Sequence, residues 1–423
     1  MIRLRHMLRI APSPAEIEGL DTGAAVTFAP MDALADGLGG LDITRTRSLF
    51  EVGRGGYNYF RDGDILLAKV TPCFENGKKA IAHGLPNGIG FATSEVHVLR
   101  PDSFKIDVRF LLYLLCSEDF RAACMKSMTG AGGLRRVSEA AILDWRPKIT
   151  RLDAQKSIAD FLDRETARID LLVEKKKRLA SIMRERSQSA IEKAVSAESD
   201  LSKLGHHVRI LPGYAFASSR FSHDEDEIRL LRGANVSPGK IRWDDVVYWP
   251  KDATSDLERF QLEVGDIVMG MDRPWISGGI RVSEITQQDV PALLLQRVCK
   301  IIPLASISKE FLKLLLSSKK FLSYFEPELT GVSVPHISGD QITGFRFPYL
   351  SVPQQVERAN MCRRILHSNE AITERVQESI SRLQEFRAAH ITAAVTGQID
   401  VNAWSKQGCT ERRLDRIEEE ISA

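Results

Sequence analysis

The feature that most constrains this chain is a repeat, because landmarks in its first half return about two hundred residues later in its second. Gly63-Asp64-Ile65 returns as Gly265-Asp266-Ile267, and Thr129-Gly130 with Val137-Ser138 returns as Thr330-Gly331 with Ile337-Ser338. Ile142, Arg146 and Gln155 stand opposite Ile342, Arg346 and Gln355. A duplication of this length predicts two domains of like fold, and 423 residues are more than one core usually organises.

Each block is followed by a stretch free of Gly and Pro, from Ala154 to about Ser199 and from Gln354 to about Thr396. Both read as long helices. In the first, Ile158, Leu162, Ile169, Leu172, Leu179, Met183 and Ala190 follow alternating steps of three and four, interrupted by Glu165, Lys176 and Arg186. In the second, Ile365, Ile372, Val376, Leu383, Phe386 and Ala393 do the same, interrupted by Asn369, Ser379 and His390. Seams this narrow suit a helix pair, and forty residues at 1.5 Å each reach roughly 60 Å, longer than a small domain is wide. Antiparallel pairing would relate the halves by a pseudo-two-fold axis and make the helices a rigid spacer.

The preceding blocks mix strand-like runs (Asp64 to Val70, Glu95 to Leu99, Asp266 to Gly270, Arg297 to Ile302) with Gly/Pro turns. Each also carries one apolar helix, Val108 to Lys126 and Lys309 to Phe325. The fold class expected is α+β: two α/β domains joined by two long helices that form an antiparallel coiled-coil spacer. The divisions are 1–150 and 204–350 for the domains, 151–203 and 351–400 for the helices, and 401–423 for a tail. That tail, with ERRLDRIEEEIS, reads either as a short amphipathic helix or as a frayed end.

A net charge of +2 gives no vote for nucleic acid, so local patches must carry that argument. The longest apolar run, Phe110 to Cys116, is far short of the roughly 20 residues of a membrane helix, and the Arg-rich start lacks a signal-peptide core. A cytoplasmic protein with no membrane partner is expected. Cys73, Cys116, Cys124, Cys299, Cys362 and Cys409 show neither CxxC nor Cys/His spacing, so neither metal nor disulfide is expected.

Two similar domains on a stiff two-fold frame suit two separated half-sites on double-stranded DNA, since B-DNA repeats its groove faces each helical turn. Similar but unequal domains would read an asymmetric pair. Cations and polar groups beside turns are the candidate contacts: Lys69, Asn76, Lys78, Lys79, Arg135 and Arg136 in the first copy, and Arg273, Trp275, Arg281 and His336 in the second. Each is also readable as an ordinary surface residue. The run Lys175-Lys176-Lys177-Arg178 points all round a helix and reads as solvated coil surface. GRGG (53–56) and GAGG (130–133) lack a phosphate-cradle pattern, and His206-His207 lacks ligand spacing. No HExxH, GxSxG, HxE with CxxC or nuclease carboxylate cluster is present, so no catalytic residue is assigned.

Particular strings are family-like. YFRDGDILLAKVTPCFENGKKAIA (59–82), GIGFATSEVHVLRP (88–101), DAQKSIADFLDRETARID (153–170) and FRAAHITAAVTGQIDV (386–401) resemble the specificity subunit of type I restriction-modification enzymes. Thr150, Arg151, Ala154 and Arg358 depart from that pattern, and the second domain matches no subclass. The resemblance implies two target recognition domains on a helical spacer that carries modification subunits, with restriction subunits joining for cleavage. It also implies S-adenosylmethionine on the modification partner, an adenine methyltransferase, and no cofactor in this chain. Partner helices packing beside the spacer would account for the interrupted stripes. The rival readings are a self-sufficient DNA-modifying or nuclease enzyme and a coiled-coil assembly protein without a DNA role.

Overall fold

The structure is a computed structural model that describes every residue except 39, 54, 131–133, 277–278, 326–335, 407 and 423, and leaves out the side chains of 405–406 and 420–422. The Thr330-Gly331 landmark, parts of the GRGG and GAGG segments, and residues 277–278 between the candidates Trp275 and Arg281 therefore lie outside the described residues. Two compact units emerge, Met1–Lys177 with Arg375–Ala423, and Arg178–Glu374.

In the first unit, Leu8–Ile10, Val96–Pro101, Ile65–Ala68 and Lys79–Ile81 form one antiparallel sheet in that spatial order. A second sheet orders Thr46–Ser48, Ala25–Ala29, Ile89–Ala92 and Asn58–Arg61, with the middle two parallel. Strand side chains alternate between faces, and the core follows. Ile65, Leu67 and Leu99 pack toward Phe110 and Leu111, whereas Leu66, Val96 and Val98 pack toward Ala29, Leu34 and Phe60. The apolar helix expected over 108–126 is broken into Val108–Leu114 and Glu118–Lys126. Ser117 makes the break, its Oγ donating to the Leu114 carbonyl (2.7 Å) and accepting from the Phe120 N–H (3.4 Å).

The second unit repeats the plan. Val208–Pro212, Val298–Pro303, Ile267–Gly270 and Val282–Glu284 form the antiparallel sheet. Tyr248–Trp249, Ile228–Leu231 and Ala292–Leu294 form the other, its last two strands parallel. Ser318 breaks the helical segment into Lys309–Leu316 and Lys319–Phe325 as Ser117 does in the first unit. The shared Gly-Asp landmark is structural. Buried Asp64 receives Arg100 Nε and Nη2 at 2.7 Å each, and Asp266 receives Lys300 Nζ at 2.7 Å.

The long helices run Leu152–Val195 and Val352–Thr396. The first is shorter than its Pro- and Gly-free stretch suggests. Leu201–Lys203 instead pairs antiparallel with Arg346–Pro348. Arg358, which departs from the family pattern, donates through Nη1 to the Ser196 carbonyl and, at 3.4 Å, to the Ala194 carbonyl at the end of that helix. Within each unit the two helices run antiparallel: Arg387 pairs with Asp170 at 2.8 Å in the first, and Asn369 Nδ2 donates to Ser187 Oγ at 3.0 Å in the second.

The seams differ from the stripes read by spacing. Leu162, Ile169, Met183, Val376 and Leu383 are buried as expected, and Ile158, Leu172, Ile365 and Phe386 are half-buried. Leu179 and Ile372 are exposed, because Ala180 beside the first, and Asn369 and Val376 about one turn either side of the second, hold the inner positions. Each helix starts with the same clamp. Gln155, 1 % exposed, accepts from the Asp107 N–H and donates to the Lys105 and Thr150 carbonyls; Gln355 does so with Ser308, Ser306 and Leu350.

The tail is ordered helix, Val401–Lys406 and Cys409–Ser422. Leu414 and Ile417 are buried, Glu411 pairs with Arg168, and Glu418 pairs with Lys176 at 2.8 Å and accepts from Ser379 Oγ at 3.1 Å. Lys176 and Ser379, polar interruptions by spacing, thus belong to a helix from the same chain.

Candidate nucleic-acid interface

In both units the candidate residues gather where the central strand of the antiparallel sheet gives way to a loop. In the first, the Lys69 N–H donates to the Glu95 carbonyl (3.0 Å) and its carbonyl accepts from Val137 (2.8 Å). The segment 135–137 is thereby laid beside the strand end, and buried His97 fixes it by donating from Nε2 to the Val137 carbonyl at 2.9 Å. Burial holds the His97 imidazole below its ordinary pKa. On this backbone Arg136 forks onto Glu95 (Nε 2.9 Å, Nη2 3.0 Å), keeping that carboxyl below the usual carboxylate range. Arg135 is exposed and lies 3.7 Å from Glu75.

Lys69, Arg135 and Arg136 therefore share one surface, whereas Asn76 lines a cleft with Leu38, Cys116 and Arg387, and the two remaining lysines do not present their charges on that surface. Lys79 lies within a strand, is 7 % exposed, and donates to the Gly77 carbonyl at 3.2 Å. Lys78 Nζ donates to the Leu34 carbonyl at 2.5 Å, with Asp36 at 3.6 Å. Lys78 closes the loop 34–37 onto the sheet and Lys79 is held inside its own turn, so neither is free to meet a phosphate.

The second unit has the same backbone with other side chains. The Met271 N–H donates to the Arg297 carbonyl (2.8 Å) and its carbonyl accepts from Ile337 (3.0 Å), reproducing the Lys69, Glu95 and Val137 links. His336 thus stands where Arg136 stands in the first copy, and Arg297 where Glu95 stands. Asp272 joins them, 2.7 Å from His336 Nδ1 and 3.9 Å from Arg297 Nε. Arg281 reaches the Asp272 carbonyl at 3.3 Å, while its buried Nε has no hydrogen-bond partner. Burial, with Arg273 beside it, lowers its pKa from the ordinary arginine value. Arg273 itself sits at φ +43°, a left-handed turn that a non-glycine residue adopts only under local constraint. Trp275 begins the two-residue strand Trp275–Ile276, which pairs antiparallel with Gly279–Ile280, and packs on the core of its unit. Sequence reasoning missed Glu95, Asp272 and Arg297; the signal available was their place in the repeat.

Among the described residues no group of three or more His, Cys, Asp or Glu side chains stands where it could hold a metal ion. No described helix is long and apolar enough to cross a membrane.

The arrangement defines a class first: a duplicated two-domain protein on paired long helices. A solved chain from a study of type I restriction-modification complex assembly shares that fold with a TM-score of 0.72 at 13 % identity, covering 94 % of this chain and 97 % of its own. No family model matches the chain. Among curated proteins, the type I restriction enzyme EcoAI specificity subunit of Escherichia coli is 30 % identical over 82 % of this chain and 74 % of its own length. The MjaVIII specificity subunit of Methanocaldococcus jannaschii is 27 % identical over 69 % of this chain and 70 % of its own. The chain belongs to the specificity subunits of type I restriction enzymes.

Proposed function

We propose that this chain reads a two-part, asymmetric DNA sequence, one part per domain, and carries the modification and restriction subunits of its complex. It has no catalytic role of its own. Methyl transfer from S-adenosylmethionine to adenine takes place on the modification partner, in the cytoplasm.

One observation carries the reading. A single backbone framework occurs twice, with Arg136 and Glu95 in one copy replaced by His336, Arg297 and Asp272 in the other. Groove readout depends on the donors and acceptors presented, so equal frames with unequal side chains favour two different half-sites. The family membership favours this over a nuclease or a scaffold without a DNA role.

Co-expression with a matching modification subunit, followed by genome-wide mapping of methylated adenine, tests it. A bipartite motif is the expected result, and replacing residues 1–150 with another reader should change one half only. Scattered methylation, or a change in both halves, would refute the reading.

A further inference from the structure

We propose that Asp272 is a positioning residue for sequence readout in the second domain. It holds the proton of the neutral His336 ring on Nδ1, so that Nε2 meets the DNA as an acceptor and selects a base with an exocyclic amino group, adenine or cytosine. The proposal rests on the functional reading above and names the chemistry of one position in the second half-site.

Three pieces of backbone bring the group together. Asp272 and His336 face each other across an antiparallel bridge. The turn 295–298, closed by the Val298 N–H on the Leu295 carbonyl at 3.2 Å and tied through the Arg297 carbonyl to the Met271 N–H, adds Arg297. Arg297 stands at φ +72°, where glycine or asparagine would cost less, so the turn alone does not account for an arginine. All three side chains are open to a duplex: Asp272 is 35 % exposed, His336 37 % and Arg297 58 %.

The Asp272 carboxylate divides its two oxygens between its neighbours. Oδ1 lies 2.7 Å from His336 Nδ1, and Oδ2 lies 3.9 Å from Arg297 Nε. An ionised carboxylate only accepts, so the imidazole nitrogen at 2.7 Å is the donor. Arg297 Nη1, 3.4 Å from that nitrogen, is itself a donor and offers it no alternative acceptor. A neutral imidazole has one N–H, which leaves the lone pair on Nε2, and no described group bonds to it. In the major groove such an acceptor pairs with adenine N6 or cytosine N4, whereas guanine O6 and thymine O4 would meet it lone pair to lone pair. The first copy lacks the device. Val70 is bridged to Arg136 as Asp272 is to His336, and the acid stands instead at Glu95, where it receives an arginine that can only donate.

Asp272→Asn keeps the shape and reverses one hydrogen bond. Its single amide oxygen stays toward the Arg297 guanidinium, which turns the amide NH₂ toward His336 and moves the ring proton to Nε2. Given a pool of randomised duplex, the complex assembled with its modification subunit should then change at one position of the second half-motif, from adenine or cytosine to guanine or thymine, by about tenfold in relative methylation. Asp272→Glu should keep the original base, and the first half-motif should stay the same in both variants. Imidazole nitrogen chemical shifts of the full chain at about pH 8, with the His336 signal identified by its loss in His336→Gln, should place the proton on Nδ1 in the unaltered chain and on Nε2 in Asp272→Asn. An unchanged motif in Asp272→Asn, a position that relaxes to all four bases, a methylation loss uniform over sequences, or an Nε2 proton in the unaltered chain overturns the proposal. Absence of any bipartite motif from the unaltered complex is a different result, and refutes the functional reading instead.

Discussion

His97 shows how a single buried side chain couples stability to the candidate surface. Its folded pKa is depressed by burial, while an unfolded histidine titrates near 6.5, so between those values only the unfolded chain takes up the proton. Stability contributed by this group is complete above about pH 6.5, is lost as pH falls from there, and levels off below the depressed value. Urea midpoints should drop between pH 7.5 and 5.5, and His97→Gln should flatten part of that drop. Arg136 and His336 make the second residue-scale prediction. Arg136→Ala should alter methylation specificity in one half-motif and His336→Ala in the other, each read by adenine mapping. The cations of the first surface were legible as a turn-side cluster. Lys78 and Lys79 were not distinguishable from them, because only the folded loop 34–37 holds the Lys78 ammonium and only the strand Lys79–Ile81 buries Lys79.

At the scale of elements, the helices were readable from missing glycines and prolines, and their partners were not. A three-four stripe says which residues lie on one face but not what covers that face. Lys176 and Ser379 looked like faults in a two-helix seam until the tail helix accounted for both. Asn369 is a real polar insertion, 2 % exposed, with its Oδ1 lacking a hydrogen-bond partner. Asn369→Leu removes that unsatisfied group and should raise stability by about 1 kcal/mol, measurable as a higher guanidinium midpoint. Gln155→Ala has the opposite sign. It strands one buried amide and two carbonyls at the start of the first long helix and should cost about 2–4 kcal/mol by the same measurement.

For the whole molecule, the repeat revealed the architecture before any strand was placed, since an offset that persists through Gly63, Ile142 and Gln155 leaves little room for a different second half. What the repeat could not reveal is what fills the positions where the copies diverge, Glu95 against Arg297 and Arg136 against His336, because self-similarity registers only what the two copies share. A reader that neutralises six to ten phosphates should lose about 10³- to 10⁵-fold in duplex affinity between 50 and 200 mM salt. A fluorescence-anisotropy titration across that range checks it, and a flat response would argue against backbone contact on this scale.

The paired glutamines have a consequence for descent. Gln155 and Gln355 meet their domains through backbone groups, which every sequence supplies, so each long helix begins at a socket indifferent to the side chains of the domain plugged into it. A crossover in the gene that falls at either socket exchanges a whole reader while leaving this backbone joint intact, so the contacts left to adapt are side-chain ones such as Arg109 on Asp163 and Tyr113 on Thr166.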